Sequence, residues 1–259
     1  MLPIERKELI LGLLRKKKLV KIRELEDILD VSLMTIHRDT KALEKEGKIK
    51  KLRGAIVGLN IEKDRESLFE ERAKLNIDKK VAIAKEAVKL IKKNEYVLLD
   101  AGTTTFQIAK TLDKPVTVVT NDLYIGLELS NKEEVEGILT GGVIRKITRS
   151  LIGPETVESI RKTRATQAFI AASGVSENLE LLSGNPIEGD VKRAYIKNAQ
   201  ERILVVDSSK FGHHNKYVFA HIDEIDTVIT DWEIGKECAE KIRESGKQLI
   251  IAKKPDTDK

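Results

Sequence analysis

The chain has 259 residues and 41% hydrophobic content, enough for one large domain or a small one beside a medium one. No window approaches the ~18 uninterrupted apolar residues of a membrane span, and the first residues carry no apolar run of a secretory signal, so the cytoplasm is the expected compartment. A single cysteine, Cys238, excludes an intrachain disulfide and a cysteine-based zinc cluster, and the formal net charge of +5 is unevenly spread: residues 1–58 hold 15 Lys and Arg against 9 Asp and Glu, the rest 32 against 33.

Residues 4–16 read as a helix with Leu9, Ile10, Leu13 and Leu14 on one side, ending in the basic run Arg15–Lys18, which suits either backbone phosphates or the helix dipole. Ile22, Leu25, Ile28 and Leu29 place an apolar face on a second short helix. Asp30 and Val31 make a tight connection, and Ser32 is placed to cap a third helix by accepting backbone N–H bonds. In that helix Leu33, Ile36, Thr40 and Leu43 form the inward stripe, while Met34, Thr35, His37, Arg38 and Lys41 surround the remaining surface. Gly47 ends it, and Lys48–Arg53 alternates charge with apolarity like one strand of a wing.

This is helix-turn-helix spacing, in which the third helix carries its side chains to base edges and phosphates in a major groove. A basic helical hairpin with solvated charges has the same spacing. The charge partition favours double-stranded DNA, because each neutralised phosphate releases counterions. The candidate DNA-binding residues are Ser32, Met34, Thr35, His37, Arg38, Lys41, Lys51 and Arg53.

The winged helix-turn-helix domain is assigned to residues 3–57, a charged linker running into a helix to 58–77, with Leu68 and Phe69 packing it onto the next domain, and an α/β domain to 78–253. In the last, a helix over 79–93 precedes the strand Tyr96–Asp100, and strands follow at Val116–Thr120, Val135–Thr140, Ala168–Ala172, Ile203–Asp207, Val228–Thr230 and Leu249–Ala252. Short Val, Ile and Leu runs separated by helical segments predict a mainly parallel sheet covered on both faces. Cys238 falls in an amphipathic helix pattern and reads as a small core residue.

Ligands of such sheets bind beyond the carboxyl ends of the strands. The residues there are Asp100–Thr105, Thr120–Asp122, Thr140–Gly142 and Asp207–Lys210. Gly102 lets backbone approach a ligand closely. Thr103, Thr104 and Thr105 offer hydroxyls and helix N-terminal N–H groups suited to a phosphate. Arg145, Lys192 and Lys210 supply positive charge, and Asp100 and Asp207 suit sugar hydroxyls. With Thr120, Asn121, Gly141 and Gly142 these form the candidate effector site. Neither a Walker motif nor GxGxxG occurs at a strand–helix junction, so no nucleotide cofactor is expected. His213-His214 lacks a partner in metal-ligand spacing, and no metal is expected.

These residues resemble the DeoR-type transcriptional regulators over nearly the whole chain. The first part resembles that family through Val31-Ser32, Thr35-Ile36, Arg38-Asp39, Leu43-Glu44, Gly47 and Gly54-Ala55. The second does so through Leu99–Thr104, Val119–Asn121, Gly141-Gly142, Gly153, Ala168–Ile170, Val191–Ala194, Asp207–Gly212 and Val228–Asp231. The resemblance implies a DNA-binding regulator, usually a repressor, whose second domain binds a phosphorylated sugar or related metabolite and has a fold similar to those of ribose-5-phosphate isomerase and glucosamine-6-phosphate deaminase. The chain departs from the family pattern at His37, Thr40, the single wing glycine Gly54, Thr166-Gln167 and Leu181–Asn185. Paired DNA half-sites make a homodimer or homotetramer the expected assembly. Two other readings remain open here. One is a sugar-phosphate isomerase or deaminase with an appended DNA-binding domain, using carboxylates among Asp100, Glu188, Asp190 and Asp207; the other is a constitutive DNA binder with a decayed pocket.

Overall fold

A computed structural model of the chain describes residues 3–17, 19–58, 68–212 and 217–255. Lys18, the side chains of Arg15 and Lys16, and His213-His214 lie outside the described residues. The chain divides into two units, Met1–Ser67 and Leu68–Lys259.

The first unit runs α1 (Pro3–Lys17), β1 (Leu19–Lys21), α2 (Ile22–Leu29), α3 (Leu33–Lys45), β2 (Ile49–Leu52) and β3 (Ala55–Gly58). Ile10, Leu14, Val20, Leu25, Leu29, Ile36, Leu43, Ile49 and Ile56 form its core, so every element contributes. The strands pair antiparallel in the order β1-β3-β2. The sequence pattern predicts only the first strand of the wing. Three of the expected core residues turn outward: Leu9, Ile28 and Leu33 are 47%, 50% and 40% exposed. On a helix of 3.6 residues per turn, Ile10 and Leu14 set the buried direction of α1. Leu11 falls just inside that arc and Leu9 a full 100° step outside it. Ile28 stands in the same relation to Leu29, and Leu33 opens its helix at the protruding first turn.

Asp30 closes α2 in the left-handed region (φ 49°), which its short polar side chain tolerates, and donates its N–H to Glu26 O. The Ser32 hydroxyl then accepts the Thr35 N–H at 3.4 Å, and the Glu26 carboxylate accepts that of Leu33 at 3.2 Å. Ser32→Ala is expected to lower the stability of this unit by about 1 kcal/mol in urea unfolding. An unchanged midpoint would show that the Glu26 bond suffices.

The second unit runs α4 (Phe69–Lys74), α5 (Ile77–Leu90), β4 (Tyr96–Leu99), α6 (Thr103–Thr111), β5 (Val116–Thr120), α7 (Leu123–Leu129), β6 (Val135–Leu139), β7 (Val143–Arg145), β8 (Ser150–Ile152), α8 (Pro154–Arg161), β9 (Ala165–Ile170), β10 (Gly174–Val175), β11 (Glu180–Ser183), α9 (Pro186–Lys197), β12 (Ala199–Val205), β13 (Tyr217–His221), β14 (Thr227–Asp231), α10 (Lys236–Glu244) and β15 (Gln248–Ala252). Seven strands form one sheet, β15-β14-β12-β9-β4-β5-β6, with every pair parallel. Alternate residues of the strands enter two separate cores. Leu98, Ala168, Leu204 and Val228 face one, and Val97, Leu99, Phe169, Ile203 and Ile229 face the other. Burial on both faces is why these strands read as continuous apolar runs.

From β4 the chain steps outward through β5 and β6, then returns to the other side of β4 as β9. The switch point of the sheet therefore lies between β4 and β9, where open α/β sheets bind ligands. A β7–β8 hairpin and a small antiparallel sheet, β10-β11-β13, were not expected. Residues 68–77, where the charged linker is expected to run into a helix, include α4. Its Phe69 is buried, stacked on Tyr124 at 4.5 Å and edge-on to Phe106 at 5.8 Å.

Candidate nucleic-acid interface and effector site

Helix α3 has two faces. Ile36, Asp39, Thr40 and Leu43 point inward. Met34 (82% exposed), His37, Arg38 and Lys41 point to solvent, with Thr35 half-buried. The inward carboxylate of Asp39 is met by Arg6 of α1, whose Nε lies 2.7 Å from Oδ2 and Nη2 3.4 Å from Oδ1, both side chains buried. This two-point pair fixes the rotation of α3 about its axis and so the direction in which Arg38 points. The Thr40 hydroxyl is satisfied within its own helix by Ile36 O at 2.8 Å, which lets a polar residue occupy the core. Lys51, expected to reach outward, is half-buried. Its Nζ donates to His37 O at 3.3 Å and its N–H to Glu44 Oε1 at 3.0 Å, strapping β2 to α3. Arg53 is exposed in the wing turn, and the Ser32 hydroxyl is occupied as a cap.

At the switch point of the sheet, Asp100 follows β4 and Ala171 follows β9. The Ala171 N–H donates to Asp100 Oδ2 at 3.0 Å. Lys192 of α9 pairs with the same oxygen and donates to Ala171 O at 2.9 Å. Both ionic side chains are buried. Burial pushes the Asp100 carboxyl up, against the pull of Lys192. Gly102 is required by space, since a Cβ there would come within 2.8 Å of Ala171 Cβ. Thr103, Thr104 and Thr105 are buried in the first turn of α6, and the Thr105 hydroxyl donates to Gly102 O at 2.9 Å.

The next strand end is tied to this one. Asn121 Oδ1 accepts Ala101 N–H (3.1 Å) and the Tyr195 hydroxyl (3.0 Å), and its Nδ2 donates to Leu151 O. The Thr120 hydroxyl accepts the Asp122 N–H. Asp122 caps α7 by accepting Tyr124 and Ile125 N–H at 2.8 and 3.1 Å, and its other oxygen accepts Gly102 N–H at 3.2 Å. Burial foremost, and the charge of Asp100, push the Asp122 carboxyl up to about 7 despite these three donors. The folded chain holds that proton more tightly than the unfolded one. Asp122 therefore favours folding below the ordinary carboxylate range, and the advantage is lost as pH rises through about 7. Thr140, whose N–H bonds Thr120 O, has a buried hydroxyl without a partner among the described residues.

The remaining candidates lie further out. Gly141 and Gly142 are exposed and turn the chain into the β7–β8 hairpin. Gly142 has φ 128°, and a Cβ there would lie 2.7 Å from Ile152 O. Arg145 meets Glu188 at 3.3 Å, and Glu188 also accepts the hydroxyls of Thr148 (2.7 Å) and Ser150 (3.3 Å), clipping the hairpin to α9. Asp207 is buried at the end of β12, where Asn76 Nδ2 (3.1 Å) and the N–H and hydroxyl of Ser209 hold it. Lys210 is half-buried in the short 3-10 turn that follows. Asp190 is exposed.

Residues 75–232 match the family profile described as DeoR C terminal sensor domain, and residues 6–61 that described as DeoR-like helix-turn-helix domain. The chain belongs to the DeoR family of transcriptional regulators. It is 35% identical to the HTH-type transcriptional regulator GolR of Listeria innocua over 254 residues, 97% of this chain and 100% of that protein. It is 32% identical to the HTH-type transcriptional regulator GlpR of Haloferax volcanii, covering 96% and 98% of the two chains. To the lactose phosphotransferase system repressor of Lactococcus lactis it is 33% identical, covering 91% and 94%. Among solved structures it is similar to ribose 5-phosphate isomerase A from Methanocaldococcus jannaschii, at 21% identity and a TM-score of 0.40 over 52% of this chain and 55% of that one.

The candidate residues read from the sequence leave out Arg6, Asp122, Ala171 and Tyr195, Asp122 being named there only as a strand-end position. Asp122 carried a signal: it directly follows a strand and precedes an apolar helix start, the position of a capping Asp. Arg6 carried none, because its partner is 33 residues away. Among the described residues no group of three or more His, Cys, Asp or Glu is placed to hold a metal ion, and no helix is long and apolar enough to cross a membrane.

Proposed function

We propose that this DeoR-family regulator is a cytoplasmic repressor of carbohydrate-metabolism genes, active as a homodimer or homotetramer. Residues 3–57 bind a double-stranded operator. Residues 78–253 bind a phosphorylated sugar or related metabolite at the carboxyl ends of β4 and β5. The observation that carries the effector half is the closed network at the switch point. It gathers Asp100, Gly102, Thr103–Thr105, Thr120, Asn121 and Lys192 on one sheet edge, with a Thr140 hydroxyl, unpartnered among the described residues, for a polar ligand to satisfy. Thr103–Thr105 at the start of α6 take the phosphate. Arg145, Gly141 and Gly142 border the site from the hairpin, and Asp207 and Lys210 from the end of β12. On the DNA side, Arg38, Thr35, His37 and Met34 face base edges, while Lys41 and Arg53 hold the backbone; Ser32 and Lys51 are engaged within the fold, as helix cap and as strap to α3. Relatives named as repressors support the same reading: the lactose phosphotransferase system repressor and a putative aga operon transcriptional repressor of Escherichia coli O157:H7. The site favours sensing over catalysis: Asp100 and Glu188, carboxylates an isomerase would keep available as bases, are each bound by a cation.

The test is fluorescence anisotropy of the purified chain on duplex DNA from upstream of its own gene and on a scrambled duplex, across a salt series, without and with a panel of phosphorylated sugars. Selective binding with a steep negative salt slope, altered by one of the sugars, is the expected result. No binding to either duplex at low salt would overturn the DNA assignment. Selective binding that no phosphorylated metabolite alters would leave a constitutive DNA binder.

A further inference from the structure

The switch-point cluster is short of positive charge. Asp100, Asp122 and Glu188 are all buried there. The cations beside them are Lys192 and Arg145, paired with Asp100 and Glu188 respectively. Among the described residues Asp122 is met only by dipoles: the N–H groups of Gly102, Tyr124 and Ile125. Around it stand Asp100 at the end of β4, Lys192 and Tyr195 of α9 engaged with Asp100 and Asn121, the Thr120 hydroxyl of β5, and Ser150 of β8, to which it is bridged. Glu188 and Arg145 are bound to each other beyond Ser150, and Arg149 on the hairpin pairs with Glu70 of α4. Asp122 thus occupies, as a resident anion, the Gly102 N–H that opens α6, beside the N–H groups of Thr103–Thr105 where an incoming anion is best stabilised.

A phosphate brings roughly 1.5 to 2 negative charges to this place. Like charges a few ångströms apart, out of water, do not all stay ionised. The nearby lysine and arginine already answer carboxylates, so the compensating charge comes from solvent. We propose that binding of an anionic effector at the start of α6 is coupled to the uptake of one proton by Asp122, so that effector affinity falls as pH rises. The proton goes from solvent to Asp122 Oδ2, converting the carboxylate to the acid and releasing the Gly102 N–H to the effector. Its carboxyl is poised for this, already raised to about 7 by burial and the charge of Asp100. The inference rests on the sugar-phosphate reading of the site.

Sulfate is the probe, because it is a dianion with no proton of its own near neutrality. Binding is located by slowed amide hydrogen exchange across residues 102–106, and protons are counted by calorimetry of the full chain in two buffers of different ionisation enthalpy. Uptake approaching one proton per sulfate above pH 7 is expected, with affinity falling by up to about tenfold per pH unit. Asp122→Asn should abolish the uptake and flatten the pH profile. Protection at residues 102–106 without proton uptake, or uptake that persists in folded Asp122→Asn, overturns the inference while leaving the effector site standing. Absence of protection there with sulfate and with every phosphorylated sugar overturns the site and the inference together. The proton count on the wild-type chain decides the matter even where the variant does not fold.

Discussion

Arg38→Ala is expected to weaken binding to the operator by about 1–3 kcal/mol, roughly fivefold to 150-fold, with the fold of the first unit unchanged. Arg38 is exposed on α3, while Ile36, Asp39 and Thr40 around it are buried, so truncation removes a reaching side chain and no packing. Its neighbour Asp39 is held from behind by Arg6, which keeps Arg38 pointing away from the core. Anisotropy on specific and scrambled duplexes separates two ways of using it. Loss confined to the specific duplex marks a bidentate contact to guanine. Equal loss on both, with the salt slope reduced by about 1, marks a phosphate contact. Unchanged binding on both would place recognition elsewhere than α3.

Lys192→Met is expected to destabilise the second unit by about 3–5 kcal/mol, because it strands the Asp100 carboxylate in the core without its cation. The remaining donor to Asp100, the Ala171 N–H, does not neutralise it. Adding Asp100→Asn should restore most of the loss, since the amide oxygen still accepts that N–H and carries no charge. The same double variant should remain blind to effector, having lost the lysine. Urea unfolding and the effector-dependent change in DNA binding, measured on both variants, therefore separate the structural part of the pair from the sensing part. A single variant that loses less than about 1 kcal/mol would show that Asp100 is neutral without Lys192.

The elements most legible in the sequence were those whose partners are local or whose burial is uniform. Ser32, Ile36 and Leu43 announced α3 because a cap and a 3.6-residue stripe need only neighbours on the same helix. The central strands were legible because both faces are buried, which makes them runs of Val, Ile and Leu. The strand β1 has a single buried residue, Val20, between two exposed ones, too short for alternation to register. β11 is explained by β13, some 40 positions later, and by a pairing whose register shifts at Leu181 and Leu182. In the site, Asp100 and Lys192 both stood out by residue type, as separate ligand groups. That they bind one another, 92 residues apart, follows from α9 laying Lys192 against the ends of β4 and β9, and has no local trace. The same holds for Lys51, whose charge suggested phosphate and whose place in β2 turns it onto His37 O.

The strand order of the sheet also bears on how the chain is made. In the first unit the pairing partners Leu19 and Val57, and Ile49 and Gly58, all lie within the first 58 residues. In the second, β4 is paired on one side by β9, Val97 against Gln167, and β9 in turn by β12, Ala165 against Ala199. The middle of the sheet cannot assemble until some 200 residues have left the ribosome, and β14 and β15, beyond β12, come later still. Vectorial synthesis, in which N-terminal units fold first, thus delivers the DNA-reading surface well before the unit that governs it. A truncated or stalled chain would carry the DNA-binding unit without the sensor unit.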